Sequence, residues 1–176
     1  MNYSNLLTLA SLGGYSGYAI GNMGNRQLPD QNQRIYCAVL ISRIAHSLSK
    51  SPLLASSLQS GASFLGSFPG LIVLLGTSFF DDSSYIIKRS AEGVSTLMAA
   101  HALAMLYLRK DASQAAFLIP CLASIAFKQN YLPKNLESPY NFVIRVLQPA
   151  SFILSGNKVL AVLGLWQLVN MPEIRK

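Results

Sequence analysis

The chain alternates between long, nearly uncharged apolar segments and short polar breaks. Residues 5–23 carry no charge and run into the Asn-, Gly- and Pro-containing stretch NMGNRQLPDQNQ, which reads as a turn in water. Residues 35–48 (IYCAVLISRIAHSL) are apolar but contain Arg43 and His46. Residues 53–80 are too long for one untilted crossing, and Phe68-Pro69-Gly70 gives a break a physical cause, because proline lacks the amide donor. Asp81-Asp82-Ser83-Ser84 reads as a polar stop and N-cap cluster. Residues 93–108 end on Arg109-Lys110, and Asp111, three residues before Gln114, predicts a capping box that opens a helix over 112–127. These two segments, 93–108 and 112–127, read as an antiparallel hairpin, followed by a proline-containing loop over 128–139. Residues 140–154 are apolar around Arg145, and 159–169 end in Trp166-Gln167; both read as poor spans or interfacial helices.

This pattern predicts an all-α protein, a multi-pass transmembrane helical bundle of four to six spans. Residues 1–108 would form a four-helix membrane bundle and residues 109–176 additional membrane-embedded or interfacial helices, a hairpin among them.

Composition strengthens the membrane reading. Only 12% of the 176 residues are charged and 51% are hydrophobic, against about 25% charged in an ordinary soluble domain. Mean hydropathy is +0.35. The net charge of +7 raises nucleic acid as a partner, but the basic residues come singly or in pairs at segment ends rather than as one solvated patch. Lys and Arg so placed snorkel to headgroups, and an anionic leaflet attracts them. Nucleic acid is therefore set aside in favour of phospholipids, anionic ones included. Cys37 and Cys121 sit in apolar runs without metal spacing, so neither a disulfide nor a metal site is expected.

Gly13, Gly17 and Gly21 fall four residues apart in an uncharged segment. A phosphate loop needs a preceding strand and a following Lys-Ser/Thr, and neither is present. The spacing instead builds a groove for close helix packing. Its first expected occupant is the helix carrying Arg43 and His46, with a helix of another subunit or a lipid tail as the alternative.

Arg43 and His46 lie on one helix face, and an arginine inside an apolar helix is costly unless it finds a partner, water or an interface. His101, in AAHALAML, reads as a helix-to-helix hydrogen bond. The acidic residues all fall at segment ends, where capping and solvation account for them. Arg145, Lys158 and Trp166 are the residues placed at a lipid headgroup or interface. No serine, histidine and aspartate set forms a nucleophile motif. No catalytic residue and no cofactor are therefore expected.

The order of a Gly-rich first helix (GGYSGYAIGNMG), a second with RIAHSL, a third with GTSFF and a fourth reading EGVSTLMAAHALAMLYL resembles the small four-helix membrane protein family that includes transmembrane protein 256. On that resemblance His46 is the counterpart of the second-helix histidine. Asn25 or Arg26 stands where the family has a first-helix histidine, and residues 109–176 have no counterpart. The resemblance implies a bacterial or mitochondrial inner-membrane location and no reaction.

The function that follows is a non-catalytic accessory subunit, structural or for assembly, of a larger hetero-oligomeric membrane complex. The expected location is the mitochondrial inner membrane, in the respiratory chain or ATP synthase. The alternative is a small transporter or channel in which Arg43, His46 and His101 line a polar path.

Overall fold

The computed structural model describes residues 3–24, 41, 44, 45, 48–51, 53, 56–66, 70, 83–154, 156 and 158–171. Among them every regular element is helical, so the fold class is all-α. The helices are α1 (Tyr3–Gly21), α2 (Ser56–Gly66), α3 (Ser83–Leu108), α4 (Ala115–Lys128), α5 (Lys134–Ile153) and α6 (Lys158–Val169), with a single 3-10 turn at Ala112–Gln114 before α4. Arg43, His46 and the Phe68-Pro69 break lie outside the described residues, as do Asp81 and Asp82.

The chain divides into two compact units, one of Met1–Tyr18 with Met105–Lys176 and one of Ala19–Ala104. This boundary differs from the division at residue 108 drawn from the sequence, because most of α1 joins the C-terminal third. The reason lies in the glycines. A Cβ on Gly13 would run into the carbonyl of Phe117, and one on Gly17 into the carbonyl of Cys121. Gly13 and Gly17 are thus seated on α4, and the Arg43 and His46 expected against them lie outside the described residues. Helix α4 suits them because Phe117, Cys121 and Ser124 recur at helical spacing on its buried face. Gly14 faces α5 instead: its Cβ would stand 2.7 Å from the Ile144 side chain. Gly21 is simply the last residue of α1.

Two helices begin earlier than their polar residues suggest. Helix α3 starts at Ser83 rather than Gly93. Its charges satisfy one another along the helix: Arg89 donates to Glu92 at 2.8 Å, and Lys88 stands 3.7 Å from the same carboxylate. Glu92 is consequently a buried side chain of a helix interior, 3% exposed, rather than a solvated segment end. Helix α5 starts at Lys134 inside the stretch that reads as a loop. Pro133 occupies the N-cap position and Glu137 lies in the first turn, both favourable at a helix start.

The turns between helices are specified locally. Asp111 accepts from the Ser113 amide at 3.0 Å and from the Gln114 side chain at 2.9 Å, so the capping residues do meet. They open a 3-10 turn, with α4 proper following from Ala115. Hydrogen bonds from Ser113 and Gln114 hold the Asp111 carboxyl below the usual carboxylate range. At the far end of α4, Asn130 adopts φ 59° while Tyr131 N–H bonds the Ala126 carbonyl and Asn130 N–H bonds that of Phe127. That is the paired arrangement with which a left-handed residue closes a helix.

Tyr140 ties α5 to α4. Its hydroxyl donates to the Pro120 carbonyl at 2.6 Å, lies 2.8 Å from Ser124 Oγ, and its ring stands 5.0 Å from that of Phe127. Further on, α5 meets α6 closely: a Cβ on Gly164 would lie 2.7 Å from the Pro149 carbonyl.

Candidate functional site

Among the described residues the interior combines large apolar side chains, such as Phe117, Ile144 and Phe152, with small polar ones. The buried side chains include Ser11, Ser16, Ser95, Ser124, Gln148 and Ser151. Large apolar side chains also point outward, with Leu97 and Leu103 on α3, Ile119 and Leu122 on α4, and Val162, Leu165 and Val169 on α6 all more than 40% exposed. Small polar residues inside and aliphatic residues outside are what a bundle needs when its surroundings are themselves apolar.

Helix α3 shows the sorting residue by residue. Ala91, Ser95, Met98 and Ala102 form its buried stripe, and Leu97, Leu103 and Tyr107 are exposed. The stretch Lys88–Leu108 is long and apolar enough to cross a membrane, with mean hydropathy 1.2 and 28% buried. Among the described residues it is the one helix that meets this standard of length and composition. Each end carries a tyrosine paired with a cation. Arg89 lies 5.2 Å from the Tyr85 ring, and Lys110 5.1 Å from the Tyr107 ring. Tyr85 and Tyr107 are separated by about 33 Å of helical rise, close to the ~30 Å hydrocarbon thickness of a bilayer. Aromatic and basic residues at such a spacing also flank the hydrocarbon stretch of helices that span a bilayer.

His101 has a defined partner within the chain. Its Nε2 lies 2.6 Å from Ser51 Oγ, and the tautomer decides which group donates. The histidine therefore makes a tertiary hydrogen bond, to a residue outside the helices rather than from helix to helix.

A second feature, which the sequence does not single out as a unit, is a groove on α5. It is an open depression of about 250 Å³ lined by Lys134, Glu137, Ser138, Asn141, Phe142 and Arg145. These residues recur at helical spacing along one side of α5, within reach of the end of α4 and of α1. Lys128 at the end of α4 stands 3.5 Å from Glu137 and 4.9 Å from the Tyr18 ring centre. The Tyr18 hydroxyl donates to Asn141 Oδ1. Of the three residues assigned to an interface, Arg145 falls in this groove. Lys158 is exposed at the first position of α6, and Trp166 is 41% exposed on the same helix. Tyr18, Asn141 and Lys134 carry no sequence signal of their own, because what joins them is the docking of α1 on α4 and α5.

No family model, curated protein or solved structure matches the chain.

Proposed function

We propose that the chain is a non-catalytic integral membrane subunit that serves the structure or assembly of a larger hetero-oligomeric membrane complex. The supporting observation is the apolar surface: Leu97, Leu103, Ile119, Leu122, Val162 and Leu165 face out, while serines and a glutamine share the interior with an apolar core. An exposed apolar surface of this extent needs lipid or protein against it. In this reading the fold is a multi-pass bundle of four to six crossings. Helices α1 and α3 have the length to cross, while α4 and α6 rise only about 21 and 18 Å, short of the ~30 Å core. Such partial helices are tolerated where neighbours cover their ends, which favours a subunit over a free-standing protein. The resemblance of residues 1–108 to the four-helix family makes the mitochondrial inner membrane, in the respiratory chain or ATP synthase, the location we propose.

Extraction of the native protein in a mild detergent tests the reading. It predicts resistance to alkaline carbonate and migration with a large assembly. Release by carbonate alone removes the membrane assignment, and migration as a lone small particle removes the subunit assignment.

A further inference from the structure

We draw no further inference here: the strongest candidate, the exposed apolar stripe of Val159, Val162, Trp166 and Val169 along α6, is an unpartnered helix face, and nothing in the structure shows what covers it.

Discussion

The contact of α1 with α4 and the surface of α3 use apolar helices in opposite ways. At Gly13 and Gly17 two backbones approach so closely that no Cβ fits between them, and the carbonyls of Phe117 and Cys121 fill the space. Helix α3 keeps Leu97, Leu103 and Tyr107 outward and buries a narrow stripe of Ala91, Ser95, Met98 and Ala102, with Glu92 beside it. The first is an interface already complete within the chain. The second is a surface whose complement, on our reading, is lipid or another subunit. Close packing of small residues gains dispersion contacts that lipid cannot offer equally, which is why glycine rather than leucine marks the finished interface.

The contrast can be broken most sharply at Gly17. Gly17→Leu drives a side chain into the Cys121 carbonyl and the Ser124 Cβ, both of which belong to a helix that cannot retreat without losing Tyr140. We expect a loss of about 3 kcal/mol or more, read as lowered resistance to denaturing detergent, or failure to accumulate. A protein of unchanged stability would mean that α1 does not dock on α4.

Leu97→Arg probes the other surface. It places a charge midway along Lys88–Leu108 on the exposed side, and in a membrane it costs about 3 kcal/mol of insertion free energy. The reading is the fraction of α3 that a glycosylation reporter finds inserted. Insertion equal to that of the parent protein would place Leu97 away from lipid.

Tyr140→Phe is smaller. It removes the hydroxyl that bonds the Pro120 carbonyl and lies beside Ser124, for about 1 kcal/mol, while the ring contact with Phe127 remains. Adding Gly17→Ala to it sharpens the comparison, since two sites sharing Ser124 should give a non-additive loss in a double-mutant cycle.

Asp111→Ala is the smallest, under about 1 kcal/mol. Its pH dependence has a fixed sign. The folded carboxyl titrates below its unfolded counterpart, so its contribution is fully present above the unfolded value near pH 4 and is lost as pH falls through the lowered folded value. The parent protein should therefore lose stability relative to Asp111→Ala on acidification, measured by thermal unfolding in detergent.

The parts of this architecture that were legible in the sequence are those set by local spacing. Glycines at intervals of four mark a packing face, and Asp111 with Gln114 marks a helix start, whatever the rest of the chain does. The partner of the glycine face was not legible, because Phe117, Cys121 and Ser124 lie about a hundred residues away and are unremarkable alone. The start of α5 was hidden for a different reason. Pro133, Pro139 and Lys134 read as a loop by composition, yet Glu137 meets Lys128 across the turn and the helix begins where proline is tolerated. Glu92 was misplaced through its neighbours: only the geometry of Lys88 and Arg89 shows three charges sharing one helix side. The α5 groove needed the fold, since Tyr18 and Asn141 are separated by most of the chain.

Cys121 gives the α1 contact a clock. Its thiol is 1% exposed and free, and its own carbonyl stands where Gly17 passes. In a Cys37→Ser background, a thiol reagent can reach the sulfur only when neighbouring side chains part, so the alkylation rate counts openings of the native bundle directly. Substitutions that loosen α1 would quicken the clock before they lower the midpoint of any melting curve, and arrival of a partner subunit on the same side would slow it.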